Sequence, residues 1–549
     1  MFTGVSCATG STRASSALWP RGPTPIKIDR FDELLIGYPR DKRNFLVNGF
    51  RHGFAIPITP FEYNIAVANH PSALANPAEV DKLITSELSL ARVAGPFDAP
   101  PFHNFHCSPL AIVKKSSGSF RLIHDLSYPY DNSVNSNIPQ EFKSVSYETL
   151  DDAISLIIEA GQHSLIAKAD VEAAFRQLPI HPKSVHLLGF TWRGKFYADR
   201  SLPFGLAISC QCYQAFSDSL AWILKHKLNV KSLTYILDDF IFISSYNSNK
   251  CLVSLNSFLK LSEEINLPIK HSKTVQPTTL ATLHGINVNT DDMTLSLPDD
   301  KKQKALDSLA LLKSSRSITL RNLQSVVGFL NFVCKVVPMG RAFLRRLYFI
   351  TRGVRRRHHK IRLTRAALRD IHAWSYLLRN FPTNSLLTNR IWDTSAHVFI
   401  FTDSSSLHGY AAVMGKSWCS GTWPNRWRKF HISVLELYPI VLSVLVWGKV
   451  MSDKCVIFHT DNEGIVHVIN NLSSPHKTLM ILIRKLVVAT MGNNIMFRAV
   501  YFPGEENTLA DALSRFQFVR AFQISPRLNI RPCPVPQHAR PECILHETF

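Results

Sequence analysis

The sequence lacks the cysteine patterns of zinc-binding and disulfide-rich proteins. Its 10 cysteines are scattered over 549 residues, no CxxC pair occurs, and the closest two are Cys210 and Cys212. Zinc ribbons and knuckles need closely paired cysteines, and small secreted domains need a dense disulfide framework. We therefore expect a protein of a reducing compartment, the cytoplasm or the nucleus, without structural zinc.

Signals for export and membrane insertion are also missing. The N-terminal stretch MFTGVSCATG has no basic segment followed by an apolar one, which a signal peptide requires. The most apolar stretch, VLELYPIVLSVLVWGKVM, contains Glu436 and Pro439 and is short for a bilayer span. We expect a buried helix there, a protein that is not secreted, and no membrane partner.

Acidic residues are scarce relative to basic ones. The chain has 62 Lys and Arg against 41 Asp and Glu, a formal net charge of +21. This excess favours nucleic acid as partner, although an anionic membrane surface or a ribosomal role would also explain it. The densest basic run contains Arg355, Arg356 and Arg357, which we interpret as a track for phosphates; the alternative is a solvated helix face with linker.

Composition and periodicity divide the chain into five segments. We expect an N-terminal extension at 1–60, an α/β or α+β core at 61–295, a helical and basic segment at 296–394, a compact α/β domain at 395–516 and a loose tail at 517–549. In the third segment, apolar residues recur every three or four positions behind Thr319, a plausible helix cap. These are Leu320, Leu323, Val327 and Leu330.

The first set of chemically telling residues lies in YILDDF, where Asp238 and Asp239 interrupt an apolar run. Apolar strands on both sides predict a hairpin turn at the two acids. Upstream, the apolar strand SLIAKAD ends at Asp170. If the two strands are neighbours, the acids meet, and two divalent cations would offset their charge and serve phosphoryl transfer. An ordinary turn is the alternative for each Asp.

A second set of acids lies in the C-terminal domain, each at the end of a predicted strand or helix. The set consists of Asp403, Glu436, Asp461 and Asp511. When such acids hold metal ions, the ions ionise water and align it for attack on a phosphodiester. Glu436 has a rival interpretation, since Ser433 three residues earlier would make it part of a capping box.

The motif order resembles a known enzyme family. ADVEAAFRQL, LPFGLAISCQCYQ, YILDDF, LPIKHSK and LHGINV together resemble a reverse transcriptase palm, and SPLAIVKKSSGSFRLIHDLS is similar to the fingers hairpin of that family. The second acid set resembles RNase H. Stretches such as LQSVVGFLNFVCKVVPMGRAFLRRL and PGEENTLADALSR resemble DIRS-type (tyrosine-recombinase) retrotransposons, related to Gypsy-like ones, over about residues 25–516. The resemblance implies an α+β and α/β multidomain protein: a right-hand polymerase of fingers, palm and thumb, a connection and an RNase H-like domain.

The resemblance also implies roles for single residues. Lys114 and Arg121 would grip the triphosphate of the incoming nucleotide. The ring of Phe175 would abut the sugar 2′ position and exclude ribonucleotides, although a plain core Phe remains the alternative. Lys273 would protonate the leaving pyrophosphate, and Lys270 is close enough to leave that choice open.

The expected activity is RNA-directed DNA synthesis coupled to degradation of the RNA strand. The family uses two Mg²⁺ per active site, with Mn²⁺ as a substitute. Its partners are an RNA template, a DNA primer, the RNA–DNA hybrid, dNTPs and other element-encoded proteins. We recognise no recombinase, integrase, protease or zinc-knuckle segment and expect the replicative enzyme alone, or a piece of a longer product. A decayed or host-adopted nucleic-acid-binding copy is the alternative, and a structural RNA-binding protein would explain the charge but not the acids.

Three departures from the family pattern stand out. Ile236 replaces the usual Tyr two residues before the first Asp of the pair, and Tyr235, displaced by one, is expected on the opposite face of the strand. Phe204 stands where retroviral enzymes have Gln. The loop before Asp511 has no His, which predicts slower product release or participation of Glu505 or Glu506.

Overall fold

The computed structural model describes residues 19–545 except 66, 116–117, 316, 382 and 386–396, and for 383–385 it describes the backbone only. The chain divides into two compact units. The first comprises residues 1–281 and 290–292, and the second comprises residues 282–289 and 293–549.

The first unit combines two short-stranded sheets, a hairpin and seven helices among its described residues. The helices are α1 (Ile28–Leu34), α2 (Arg40–His52), α3 (Pro71–Leu74), α4 (Pro77–Ser89), α5 (Leu150–Ala160), α6 (Ser209–His226) and α7 (Lys250–Glu264). The strands are β1 (Val93–Phe97), β2 (Leu110–Lys114), β3 (Phe120–His124), β4 (Leu165–Asp170), β5 (Gly189–Trp192), β6 (Lys195–Asp199), β7 (Leu233–Ile236), β8 (Asp239–Ser244) and β9 (Val275–Thr278).

The sheets of this unit are antiparallel. One has the order β7-β8-β4-β9, another has the order β1-β6-β5, and β2 pairs with β3 alone. In the β4–β8 pair, Asp170 lies opposite Asp239. The predicted hairpin at YILDDF is therefore confirmed, and so is the expected pairing of its second strand with the strand that ends at Asp170.

The N-terminal helices α1 and α2 share the core of the first unit. Phe31 and Phe50 are fully buried, and the rings of both contact Phe216 of α6, with centroids 5.3 and 5.1 Å away. Three aromatic rings packed edge to face bury a large apolar area. The described part of the predicted N-terminal extension is thus held by α6 rather than by a core of its own.

The second unit begins with helices and small sheets. Its helices up to residue 380 are α8 (Asp299–Ser314), α9 (Leu320–Val333), α10 (Arg345–Phe349) and α11 (Arg365–Asn380). The strands β10 (Leu280–Leu283), β11 (Ile286–Asn289), β12 (Thr294–Ser296) and β15 (Thr383–Ser385) form one sheet, and β13 (Ser317–Thr319) pairs with β14 (Lys360–Arg362).

Helix α9 forms as its sequence predicts. Its buried side chains include all four predicted ones, Leu320, Leu323, Val327 and Leu330. Thr319 is the N-cap, since its side-chain oxygen accepts a hydrogen bond from the Asn322 N–H at 3.3 Å.

A five-stranded mixed sheet with flanking helices completes the second unit. Its strands are β16 (Val398–Ser404), β17 (Gly409–Met414), β18 (Ser417–Thr422), β19 (Cys455–Thr460) and β20 (Met496–Tyr501), in the order β18-β17-β16-β19-β20. The helices are α12 (Ile432–Trp447), α13 (Glu463–Asn471), α14 (Lys477–Met491), α15 (Thr508–Ser514), α16 (Phe518–Ile524) and α17 (Pro541–Ile544). Strands and helices alternate in this part of the chain, in line with the α/β character expected from its sequence.

The C-terminal tail differs from the expectation of a loose segment. Ala539 and Ile544 are fully buried, and Trp427 and Tyr438 donate hydrogen bonds of 2.9 Å to the backbone oxygens of Pro541 and Ala539. The Pro-rich composition suggested a loose tail, but proline only limits helices and sheets. Irregular backbone packs well when indole and phenol donors of the domain satisfy its carbonyl groups.

The most apolar stretch forms helix α12, which is buried over most of its length, as predicted. Within the described residues, no helix combines the length and apolar character needed to cross a bilayer.

Candidate active sites

The first candidate site lies where β4 and the β7–β8 hairpin end together. Asp170 is the last residue of β4, Asp239 opens β8, and Asp238 lies in the turn between β7 and β8. Asp170 is 6% exposed. Burial, and then the charge of Asp170, raises the pKa of Asp238 to about 6, because two carboxylates in a partly dry site resist ionising together.

Two lysines partly offset this negative charge. The Lys273 Nζ lies 2.7 Å from Asp170 Oδ2, and the Lys168 Nζ lies 2.7 Å from Asp239 Oδ2. Burial works to lower the pKa of Lys273, but the hydrogen bond and charge of Asp170 outweigh it, so its pKa is raised and it stays protonated. Asp239 Oδ1 is buried without a hydrogen-bond partner.

A cavity of about 530 Å³ opens in front of these acids. Asp170 and Asp238 line it, and so do four cations: Lys115, Arg121, Lys270 and Lys273. Burial, and then the neighbouring charge of Arg121, lowers the pKa of Lys115. The cavity therefore combines carboxylates with a cluster of cations, a set of groups suited to a polyphosphate with bound metal.

Aromatic rings also line the cavity. The Phe175 ring lies 5.1 Å from that of Phe204 and 5.8 Å from that of Tyr213, and the Arg121 guanidinium lies 4.5 Å above the Phe204 ring. Gly205 has φ +117°, and a Cβ there would collide with the His124 backbone oxygen. Only glycine therefore fits at the last position of LPFG.

The second candidate site lies on the mixed sheet of the second unit. Asp403, on β16, Glu436, on α12, and Asp461, just after β19, each place a carboxylate oxygen within 4.8 Å of the others. Among the described residues, this is the one group of three or more His, Cys, Asp or Glu side chains that is close enough to share an ion.

The carboxylates of the second site are buried and only partly compensated by hydrogen bonds. Glu436 is 4% exposed, and its Oε2 is buried without a hydrogen-bond partner. Burial, and then the charges of Asp403 and Asp461, raises the pKa of Glu436 well above its usual value. Burial is also the main cause of the raised pKa of Asp403, although Ser514 Oγ donates to Asp403 Oδ2 at 2.6 Å. A buried acceptor without a donor, beside two further acids, fits a cation.

The capping-box interpretation of Glu436 is wrong. Helix α12 begins at Ile432 with His431 as its N-cap, whose Nδ1 accepts from the Ser433 N–H at 3.2 Å. Ser433 is therefore already inside the helix, and Glu436 lies too far along the helix to close a box. A His cap was not anticipated, because the sequence rule favours Ser, Thr, Asp and Asn.

Asp511 lies apart from the compact group of three. It is on α15, and its two oxygens pair with Arg515 Nε at 2.5 Å and with an Arg520 guanidinium nitrogen at 3.2 Å. Its charge still contributes to the raised pKa of Asp403. Glu505 and Glu506 are exposed in the loop that precedes α15.

Comparison with known proteins identifies the kind of domain that contains the first site. Residues 112–306 match the family model described as reverse transcriptase (RNA-dependent DNA polymerase). This segment is a reverse transcriptase domain. It contains β4, the β7–β8 hairpin and all three acids of the first site.

Curated relatives of the chain include viral proteins. The Pro-Pol polyprotein of simian foamy virus type 1 is 26% identical over 243 residues, 44% of this chain and 19% of the relative. Protein P of duck hepatitis B virus (strain China) is 23% identical over 181 residues, 33% of this chain and 22% of the relative. The matches thus span about a fifth of the length of these relatives.

Two solved structures are also similar to this chain. The foamy viral protease-reverse transcriptase in complex with RNA/DNA hybrid has a TM-score of 0.48 and 16% identity, covering 87% of this chain and 63% of that one. The same kind of protein in complex with double-stranded DNA has a TM-score of 0.48 and 15% identity, covering 87% and 82%.

The reverse transcriptase domain gathers most of the predicted substrate residues around its cavity. Arg121, Phe175 and Lys273 line it, as does Lys270, so the choice between the two lysines stays open. Lys114 is exposed, and the cavity lining contains Lys115 instead. Lys115 directly follows the last residue of β2, so strand alternation in the sequence does not distinguish the two lysines.

Two predicted features lie elsewhere. Tyr235 is turned toward α6, where its hydroxyl donates to Asp218 at 3.1 Å, and it is not among the cavity-lining residues. Arg355, Arg356 and Arg357 are exposed in the loop between α10 and β14 of the second unit.

Proposed function

We propose that this protein is an RNA-directed DNA polymerase with a fused RNase H activity, which copies retrotransposon RNA into DNA and degrades the RNA of the hybrid. The observation that carries the polymerase part is the meeting of Asp170, Asp238 and Asp239 at one sheet edge inside a reverse transcriptase domain. The nuclease part rests on the buried group of Asp403, Glu436 and Asp461.

The residues of the first site suit nucleotide addition. Asp170 and Asp238, helped by Asp239, would hold two magnesium ions, with manganese as a substitute. Ions held there supply the positive charge and the activated oxygen nucleophile that phosphoryl transfer requires. The unpartnered buried Oδ1 of Asp239 and the raised pKa of Asp238 fit a cation in this position.

The cations that line the cavity suit the incoming dNTP. Arg121 would bind the triphosphate as a planar fork and Lys115 as a point charge, with Lys114 as the neighbouring candidate. Lys273, protonated beside Asp170, would donate a proton to the leaving pyrophosphate. The Phe175 ring would close the space beside the sugar and exclude a 2′-hydroxyl.

The second site suits hydrolysis of an RNA strand. Asp403, Glu436 and Asp461 would hold the ions that ionise and align the attacking water, with Asp511 as the fourth acid. The Ser514 hydroxyl orients Asp403, and Arg515 and Arg520 hold Asp511. These hydrogen bonds fix two of the four carboxylates before substrate binds.

The finer family assignment is a DIRS-type retrotransposon enzyme. It rests on the sequences of two stretches, PGEENTLADALSR and LQSVVGFLNFVCKVVPMGRAFLRRL. The exposed Arg355, Arg356 and Arg357 would hold the phosphates of the RNA–DNA hybrid.

Primer extension on an RNA template tests this proposal directly. Purified full-length protein receives a labelled DNA primer, dNTPs and Mg²⁺, while a second label on the RNA reports cleavage. We expect both extension and shortening of the RNA, and loss of both with EDTA. Folded protein that binds the hybrid without incorporating nucleotides would contradict the proposal and favour a host-adopted binding protein.

A further inference from the structure

The turn that carries Asp238 has an unusual backbone. Leu237 has φ +51°, in the left-handed region that a branched side chain rarely adopts. Such a conformation costs free energy and persists only where surrounding groups hold it. The question is which groups hold this turn in place between β7 and β8.

Helix α6 supplies two hydrogen bonds to the backbone of Leu237. The Leu237 N–H donates to Gln214 Oε1 at 3.1 Å, and the Ser217 hydroxyl donates to the Leu237 oxygen at 2.6 Å. Gln214 and Ser217 are three positions apart, so they share one face of the helix. Both side chains are buried, Ser217 completely.

Asp218 determines which way the Gln214 amide points. Gln214 Nε2 donates to Asp218 Oδ1 at 2.8 Å, and the Tyr235 hydroxyl donates to the same oxygen at 3.1 Å. An amide offers donors on one side and an acceptor on the other. A carboxylate facing Nε2 therefore aims Oε1 at the Leu237 N–H.

Tyr235 in turn is fixed by its own contacts. Its ring stacks on Phe240 with centroids 5.5 Å apart and planes 12° apart, and its N–H donates to Glu148 at 3.1 Å. Neither Tyr235 nor Asp218 lines the cavity that contains Asp238. They are thus placed to act on the turn rather than on a substrate.

We propose that Asp218 and Tyr235 form a positioning pair, which orients Gln214 and thereby holds the Leu237–Asp238 turn in its catalytic geometry. The inference rests on the proposed polymerase function. This inference gives a role to Tyr235, which lies one residue before the position where the family has its tyrosine and where this chain has Ile236. Tyr235 stabilises the turn through Asp218 and Gln214, on the side away from the cavity.

The test combines hydrogen exchange of residues 233–240 with kinetics of single-nucleotide incorporation. The variants are Tyr235→Phe, Asp218→Ala and Asp218→Asn, with Tyr246→Phe as control, since Tyr246 is 62% exposed. We expect faster exchange in this segment and a roughly tenfold lower kcat for Tyr235→Phe and Asp218→Ala, the scale of one lost hydrogen bond. KM for dNTP and hybrid cleavage stay unchanged, and the melting temperature falls by no more than a few degrees.

The Asp218→Asn variant separates positioning from simple packing. Asn keeps an acceptor oxygen for both donors, so we expect most of the wild-type kcat and exchange protection. Unchanged exchange and kcat in Asp218→Ala, or a change in KM alone, would overturn the inference. If Asp218→Ala does not fold, Tyr235→Phe carries the same test, since it keeps the stacked ring. If the wild-type protein incorporates no nucleotide, the proposed polymerase function is contradicted. The hydrogen-exchange data then still test whether Asp218 and Tyr235 hold the turn.

Discussion

At the scale of single residues, the two candidate sites differ in how their carboxylates are compensated. In the first, Lys273 and Lys168 pair with Asp170 and Asp239. In the second, Glu436 Oε2 has no donor at all. A buried carboxylate without compensation weakens the fold, because ionisation there costs desolvation energy. Replacing an acid is therefore expected to affect stability differently at the two sites.

Asp238→Asn should abolish DNA synthesis. Removing the charge removes a proposed metal ligand, and we expect primer extension to fall by more than about 100-fold, the scale of losing one preorganised electrostatic contact in an active site. RNA cleavage by the same preparation should remain. Glu159→Gln, an exposed acid at the end of α5, is the matched control. Extension at the wild-type rate would refute the assignment.

Glu436→Gln should stop RNA cleavage while leaving DNA synthesis intact. In metal-free buffer near pH 7, the melting temperature should stay level or rise by a few degrees. The raised pKa of Glu436 means that its charged form is disfavoured by folding, and glutamine carries no charge. Differential scanning calorimetry with and without Mg²⁺ measures this. A lower melting temperature with retained cleavage would indicate a structural role.

At the scale of elements, a buried ionic network joins the short helix Ala174–Gln177 to the surrounding strands and to α4. The Arg176 guanidinium pairs with Asp199 and Glu87 at 2.7 Å, and His124 contacts Asp199 at 2.9 Å. Arg176 is 7% exposed. Since the helix also carries Phe175, the network fixes that side of the cavity. Residue types alone did not reveal it, because its members are far apart in the chain.

Arg176→Met should destabilise the protein by about 3–5 kcal/mol, because it leaves Asp199 and Glu87 without their buried partner. Burial alone would raise the pKa of Asp199, but the charge of Arg176 and the hydrogen bond from His124 lower it below its usual value. A lowered folded pKa stabilises the fold above the unfolded pKa of about 3.9, and that stability is lost as pH falls through the folded value. The difference between variant and wild type should therefore shrink on acidification.

Urea unfolding between pH 7 and pH 3.5 measures this difference. Arg193→Met is the control, since the Arg193–Asp81 pair is exposed and should contribute far less to stability than the buried network. Equal effects of the two variants would show that the buried network contributes no more than an exposed pair.

The C-terminal tail is the second element whose role can be measured. Deleting residues 517–549 removes the acceptors of the Trp418, Trp427 and Tyr438 donors. Each buried donor left without a partner costs about 1–3 kcal/mol. We expect lower expression and a melting transition lowered by several degrees, compared with a control that ends at residue 545. An unchanged transition would mean that the tail contributes nothing to the fold.

At the scale of the whole molecule, the chain has a net charge of +21 and two compact units. One unit contains the first acid site and the other contains the second. The exposed basic loop at Arg355, Arg356 and Arg357 belongs to the unit with the second site. Charge of this kind acts through released counterions, so its effect must depend on salt.

Changing Arg355, Arg356 and Arg357 to Ala together should weaken hybrid binding and flatten its salt dependence. Each lost phosphate contact reduces the slope of log K against log salt by about 0.7–0.9, or about 2 to 3 for the set. Fluorescence anisotropy between 50 and 200 mM salt measures the slope. Replacing Arg527, Arg531 and Arg540, also exposed, gives a variant of equal net charge. If both variants behave alike, net charge rather than a track governs binding.

Local sequence rules predicted much of the fold because the relevant forces are local. The repeat of apolar residues in α9, the Thr319 cap and the apolar strands around YILDDF each follow from spacing along the chain. One rule failed locally, at a helix cap, and another failed where the partners lie far away in sequence. His431 capped α12 in place of Ser433, and the tail packed because Trp427 and Tyr438 lie within its reach.

The sequence by itself determined which acids occur, in which order, and which strands and helices carry them. Only the tertiary structure decided how each acid is held, because hydrogen bonds and burial depend on neighbours distant in sequence. It placed Lys115 rather than Lys114 in the cavity lining, left Glu436 Oε2 without a donor, and turned Tyr235 toward Asp218. Composition sets the charge available to a site, while packing sets the free energy of keeping that charge there.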